Sequence, residues 1–271
     1  MAKGARYTTG YIIVAGAGVR MEIRMGQGAN IKAVNLTKRF GDLLVLDKMN
    51  FEVAAGELLC VVGPTGCGKT TFLNSLTGLY DITEGQILLN DEPVDLKKHN
   101  VSYIFQENST MPWLTVEENI GFGLDIKKVP EKLKKERVEE FMEIVGLTEY
   151  RKFFPYQLSA SMLQRVSIAR AFAAKPDLLL MDEPYAQLDI ELRYKLENEL
   201  IKLWETTGTT VMFITHNIGE AVYLGKRILV LTNKPTTVKK FLDDDLPRPR
   251  NIASEEFVRL RNEVTELIKW W

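Results

Sequence analysis

Cysteine and histidine are scarce in this 271-residue chain: only Cys60, Cys67, His99 and His216. Two cysteines make no disulfide framework, and without a Cys/His cluster there is no candidate zinc-type site. Long apolar runs are also missing. Runs such as Leu58–Val62 and Leu178–Met181 have strand length, well short of the about 18 residues of a membrane helix. Any role at a membrane therefore passes through partners. Nor is there an excess of charge. The formal net charge of -1 gives no electrostatic footprint for nucleic acid. What is present is 45% hydrophobic and 26% charged, the balance of a core-forming globular chain. The length suits one large α/β domain, with room for an inserted subdomain.

Leu58–Val62 ends at Gly63, as a buried strand running into a turn does. Phe72, Leu73, Leu76 and Leu79 follow at helical spacing, and Gly78 is a stop signal. Leu178–Met181, Val211–Ile214 and Ile228–Leu231 read as three further buried strands. The first two flank a helix with Leu192, Leu196, Leu200 and Leu203 on one face, closed by Gly208. This alternation predicts a mostly parallel sheet covered by helices. Ahead of the glycine-rich turn, Met49, Phe51 and Val53 alternate with polar neighbours, the texture of an antiparallel strand. Ile31–Thr37 and Ile87–Asn90 look similar. Residues 115–175 read as mainly helical. Thr115 and Glu118 form a capping box, and Val138, Phe141, Met142 and Val145 share a face ending at Gly146. Leu246-Pro247-Arg248-Pro249-Arg250 reads as an extended linker, because proline bars regular structure. A terminal amphipathic helix follows through Phe257, Leu260, Val264, Leu267 and Ile268.

Gly63-Pro64-Thr65-Gly66-Cys67-Gly68-Lys69-Thr70 matches G-x-x-x-x-G-K-[ST], the P-loop. Its glycines let backbone N–H groups turn inward around phosphates, and the next helix points its positive N-terminus at the same anion. Lys69 reaches the β- and γ-phosphates and the Thr70 hydroxyl ligates Mg²⁺ in such a loop. The strand Leu178–Met181 ends in Asp182 and Glu183. There Asp182 can hold the Mg²⁺ through water, and Glu183 can polarise the attacking water as general base.

In this context the chain resembles the ATP-binding cassette (ABC) family. Gln106, in Phe105-Gln106-Glu107, looks like the family's Q-loop. Asp189, in Ala186-Gln187-Leu188-Asp189, looks like its D-loop. His216 looks like its switch histidine, and Phe40 is placed like the aromatic residue that stacks on adenine. The resemblance spans residues 31–245. It implies a P-loop NTPase core with an antiparallel β subdomain and a helical subdomain at about 107–176, between an extension at 1–30 and a linker and helix at 246–271. It implies that Glu183, His216, Gln106 and Lys69 act in ATP hydrolysis, and that Thr70, Gln106 and Asp182 serve Mg²⁺. Nucleotide would be held by Phe40, by Gly63, Pro64, Thr65, Gly66, Cys67, Gly68, Lys69, Thr70 and Thr71, and by Ser159, Ala160, Ser161 and Asp189. Two ATPase subunits, identical or paralogous, would pack head to tail with ATP between the P-loop of one and the signature loop of the other.

The signature departs from the family. Leu158-Ser159-Ala160-Ser161-Met162 stands where L-S-G-G-Q is usual, so both glycines are replaced. The added Cβ atoms would hinder close approach to the γ-phosphate, and any position that needs φ > 0 costs about 1 kcal/mol; if both are helical, small residues are tolerated. Glu107–Asn119 and the tail from Leu246 to Phe257 resemble importers of nitrate, sulfonates and taurine. That implies a place on the cytoplasmic face of the membrane beneath a permease, served indirectly by a solute-binding protein. Met111, Pro112, Trp113 and Leu114 suit a groove for a permease helix; core packing is the other reading.

Three other readings compete. Asn233-Lys234-Pro235-Thr236 begins like the guanine motif N-K-x-D but lacks its aspartate, which excludes a GTPase. An ATP-gated scaffold with little turnover would account for the altered signature, but Lys69, Asp182, Glu183 and His216 are intact. A cassette of nucleic-acid repair or translation would carry a coiled-coil insert or a second cassette. Lys3 and Arg6 ahead of Tyr11–Val19 faintly resemble a secretory leader. An ATP-dependent domain has no use outside the cytosol, so the expectation for residues 1–30 is disorder, or a start at Met21 or Met25.

Overall fold

The computed structural model describes residues 28–269 except 97 and 187, together with the backbone of three strands before them. Those strands, β1 (Tyr7–Thr8), β2 (Tyr11–Gly16) and β3 (Val19–Arg24), form an antiparallel meander. They stand in the stretch for which the sequence suggests disorder; the rest of residues 1–27 lies outside the described ones. Residues 28–30 already belong to the folded body. Ala29 is buried, its N–H donates to the Asp177 carbonyl, and its own carbonyl accepts from Thr210 Oγ1 at 2.8 Å.

In chain order there follow β4 (Ile31–Phe40), β5 (Leu43–Val53) and β6 (Leu58–Val62), then α1 (Lys69–Leu76). Next come β7 (Glu84–Leu89), β8 (Glu92–Pro93) and β9 (Val101–Ile104). Three helices, α2 (Val116–Ile126), α3 (Glu131–Ile144) and α4 (Ala160–Ala173), lead to β10 (Leu178–Asp182). The chain continues through α5 (Ile190–Thr207), β11 (Thr210–Ile214), α6 (Ile218–Leu224), β12 (Arg227–Leu231), β13 (Val238–Asp243) and α7 (Glu255–Ile268).

The central sheet has the order β13-β12-β6-β11-β10-β9. Five of its strands, β12 to β9, run parallel and only β13 is antiparallel. A parallel sheet must be covered on both faces, and the apolar runs divide between the faces with period two. Leu58, Cys60, Val62, Leu179, Met181, Val211 and Phe213 face the core shared with the helices. Leu59, Val61, Leu178, Leu180, Met212 and Ile214 face α1 and the four-stranded antiparallel sheet β5-β4-β7-β8. Each fully buried Val, Leu or Ile side chain contributes about 1.5–3 kcal/mol, which is why these runs tolerate no polar residue. The capping box at Thr115 is formed, and Gly146 and Gly208, both at positive φ, stand after α3 and at the end of α5. Among the described residues no helix is long and apolar enough to cross a membrane.

Residues 246–250 have no regular structure, yet they are not a free linker. The Arg250 guanidinium donates to the carbonyls of Val222 (2.6 Å), Tyr223 (3.1 Å) and Gly225 (2.6 Å) and pairs with Asp244 at 2.9 Å. Arg248 donates to the carbonyls of Tyr223 (3.2 Å) and Leu224 (2.5 Å). The carbonyls that every helix leaves unpaired at its C-terminus are thus taken, on α6, by two arginines of the tail.

Candidate functional site

In a parallel sheet the loops that leave the carboxyl ends of the strands share one edge, where ligands bind. Here that edge carries, in sheet order, the turn after β12, the P-loop after β6, His216 after β11, Asp182 and Glu183 at the end of β10, and Gln106 after β9. A cavity of about 540 Å³ opens among them, lined by Thr65, Gly66, Gly68, Lys69, Thr70, Thr71, Gln106, Glu183, His216 and Lys234.

The P-loop is shaped by its glycines. Gly68 precedes α1 at φ 109°, a conformation L-residues rarely adopt, and a Cβ there would meet Val45 Cγ1 at 2.8 Å. Lys69 is buried, and its ammonium donates to the carbonyls of Gly63 (3.1 Å) and Pro64 (3.2 Å). Those contacts arch the loop and hold the charge over the cavity. Cys67 is packed inside, and burial raises its thiol pKa, against the opposing charge of Lys69.

Asp182 is only 2% exposed. Desolvation pushes its carboxyl pKa up, while a hydrogen bond from the Thr70 side chain and the charge of Lys69 oppose the rise. Its Oδ2 is buried with no hydrogen-bond partner. Glu183 has φ 46°, a strained backbone for a non-glycine residue, and its N–H donates to the Ile214 carbonyl at 2.9 Å. Two groups converge on its Oε2: His216 Nδ1 at 2.9 Å and Gln106 Nε2 at 3.4 Å. A carboxylate so held can accept a proton from a water at its other oxygen, next to a cradle for phosphates.

The other expected site residues lie outside this cavity. Phe40 ends β4, half exposed, edge-on to Tyr80 at 5.5 Å and with Lys38 Nζ 4.6 Å from its ring centroid. Ser159 caps α4, its hydroxyl accepting from the Met162 N–H at 3.3 Å, and Ala160 and Ser161 are the first two helical residues, neither at positive φ. Asp189 caps α5, its Oδ1 accepting from the Leu192 N–H at 2.9 Å; Gln187 of the same motif lies outside the described residues. The residue that sequence reasoning missed is Lys234. By itself its motif reads as an incomplete guanine signature; the usable signal is a lysine in a turn after the buried strand Ile228–Leu231.

Residues 46–186 match the family model described as ABC transporter. The chain belongs to the ABC transporter family. An uncharacterized ABC transporter ATP-binding protein of Methanocaldococcus jannaschii is 43% identical over 243 residues, covering 88% of this chain and 91% of that protein. An aliphatic sulfonates import ATP-binding protein, SsuB, of Bacillus cereus is 40% identical over 234 residues, covering 86% and 92%. Among solved structures, the dimeric ATP-binding cassette MJ0796 in a post-hydrolysis state with ADP and Pi superposes with a TM-score of 0.71 at 30% identity, over 79% of this chain and 98% of that one. The chain is thus an ABC ATPase, a P-loop NTPase core joined to an antiparallel sheet and a helical region.

Proposed function

We propose that this ATPase energises import of a small anion, of the nitrate, sulfonate or taurine kind, as one of two cassettes on the cytoplasmic face of the membrane beneath a permease. The observation that carries the hydrolytic part is the convergence of His216 and Gln106 on one oxygen of Glu183, beside the P-loop. Glu183 takes the proton of the attacking water, His216 and Gln106 orient its carboxylate, and Lys69 stabilises the γ-phosphate. Mg²⁺ suits the residues present: the Thr70 hydroxyl, the unpartnered and buried Oδ2 of Asp182, and Gln106 would hold it beside phosphate oxygens. When bound, it neutralises charge on the β- and γ-phosphates.

Ser159, Ala160, Ser161 and Asp189 contribute no lining residue to the cavity of their own chain. A second subunit supplying them across the nucleotide explains why they stand apart, and MJ0796 is dimeric. The low-turnover scaffold reading loses one of its motives, because Ala160 and Ser161 are helical and need no positive φ.

The anion branch rests on likeness to SsuB proteins. The permease contact rests on Trp113, which is 70% exposed rather than packed in the core. Its loop is held open by buried Asn119, whose Oδ1 accepts from the Met111 N–H (2.8 Å) and whose Nδ2 donates to the Met111 (3.1 Å) and Leu114 (3.0 Å) carbonyls. Purification with the products of neighbouring genes should bring down a permease and a solute-binding protein. Trp113→Ala should weaken the permease capture at least about tenfold, the loss of an aromatic anchor, with an unchanged melting temperature. Normal capture with a lowered melting temperature would refute the contact.

A further inference from the structure

Lys234 lines the nucleotide cavity but belongs to none of the motifs that give the family its chemistry. Its place is fixed by the turn between β12 and β13. Thr236 is fully buried there; its hydroxyl donates to the Cys67 carbonyl of the P-loop, its N–H donates to the Val45 carbonyl at 2.8 Å, and its own carbonyl accepts from the Asp47 N–H at 2.9 Å. Thr232 closes the turn, accepting from the Thr237 N–H at 2.8 Å. The turn is therefore fastened to the P-loop on one side and to β5 on the other. Lys234 itself is exposed, makes no ion pair or hydrogen bond among the described residues, and is near enough to Cys67 for its charge to act on that thiol.

Sheet order decides which end of the nucleotide it faces. The P-loop follows β6, and His216 and Glu183 follow β11 and β10 on one side of it; Lys234 follows β12 on the other. The reacting γ-phosphate must lie toward Glu183. The opposite flank is next to β5, the hairpin partner of β4, which ends at Phe40. We infer that Lys234 is a second nucleotide-binding cation that contacts the α-phosphate, at the nucleoside end of the polyphosphate. The inference rests on ATP occupying this cavity. It gives the site two cations with separate duties: Lys69 at the end that is cleaved, Lys234 at the end that ATP and ADP share. Lys234 therefore holds product as firmly as substrate.

The test is titration calorimetry of the purified subunit with Mg-ATP and with Mg-ADP, for the parent, Lys234→Ala, Lys234→Arg and Lys69→Ala. Loss of one exposed charge-assisted contact should weaken both nucleotides by the same factor, about five- to tenfold. Lys234→Arg should restore most of it, and the deficit should shrink at high salt. Weakening of ATP alone would move Lys234 to the γ-phosphate, and unchanged affinity for both would remove it from the site; either result overturns the inference. A parent that binds neither nucleotide would instead refute the reading of the cavity. Lys69→Ala losing ATP while Lys234→Ala behaves as parent would refute only the role of Lys234. Because Lys234 is exposed, a melting temperature equal to the parent's confirms that Lys234→Ala is folded.

Discussion

At the scale of single residues, the two replaced signature glycines turn out to be conformationally cheap. Ala160 and Ser161 occupy the first turn of α4, where any small residue fits, and glycine there would cost up to about 1 kcal/mol of helix propensity. Ala160→Gly with Ser161→Gly should leave steady-state ATP hydrolysis within about threefold; a rise of tenfold or more would show that their Cβ atoms obstruct the nucleotide. A second residue departs from expectation by its burial. Glu197, on α5, is 1% exposed with Oε2 unpartnered, and desolvation, joined by the charge of Glu220 and opposed by Arg193, raises its pKa to about 8. In the unfolded chain it loses its proton near pH 4.5, so between those values the native state holds the extra proton. Its contribution is fully present below the lower value and is lost as pH rises toward 8. Glu197→Gln should therefore raise the melting temperature by at least about 3 °C at pH 8.5 and far less at pH 5. Equal shifts at both pH values would contradict this. Nothing in the sequence marked Glu197, because burial of an isolated acid on an amphipathic helix is decided by what packs over it.

Among elements, the clamp on α6 is the most consequential. His216 lies two residues before this helix, Asn217 caps it by accepting from the Gly219 N–H (2.9 Å) and the Glu220 N–H (3.3 Å), and Arg248 and Arg250 close its other end. Arg250→Ala leaves Asp244 buried without its partner, a loss of about 3–5 kcal/mol. Chemical denaturation should show it; a change below about 1 kcal/mol would mean that Arg248 and solvent take over the carbonyls. The elements themselves were largely legible. Leu58–Val62 is a strand with the expected bounds, and Thr210–Ile214 and Arg227–Leu231 each gain one residue. Their apolar runs are unbroken because both faces are buried. Two strands of the central sheet were not legible, β9 and β13, with the sequences Val-Ser-Tyr-Ile and Val-Lys-Lys-Phe-Leu-Asp. Both are edge strands, where one side lacks a neighbour and polar residues are tolerated. Helix α6, only seven residues long, was too short to show a periodicity. The tail was legible as irregular, but not as a clamp, since its partners are backbone carbonyls that leave no side-chain signature.

For the whole molecule, local sequence suggested the chemistry and could not give the order of strands. That order places Gln106, Glu183, His216, the P-loop and Lys234 in one row, and it comes from long-range pairing. The P-loop and the acidic strand end were readable because each performs its task within a few consecutive residues. Lys234 was not, because its relevance depends on a turn fastened to the P-loop across 169 positions of chain, through Thr236 and Cys67. The same row leaves Ser159 and Asp189 without a part in their own subunit's cavity, which the proposed completion of the site by a second copy explains. Glu183→Gln tests it most directly, with single-turnover hydrolysis and light scattering followed together at saturating Mg-ATP. The parent should hydrolyse ATP and return to monomer. Glu183→Gln should bind ATP as the parent does, lose at least about a hundredfold in rate, the lower end of what a general base supplies, and accumulate as a stable dimer with ATP but not with ADP. A variant that turns over within about threefold of the parent, or stays monomeric on ATP, would contradict the account.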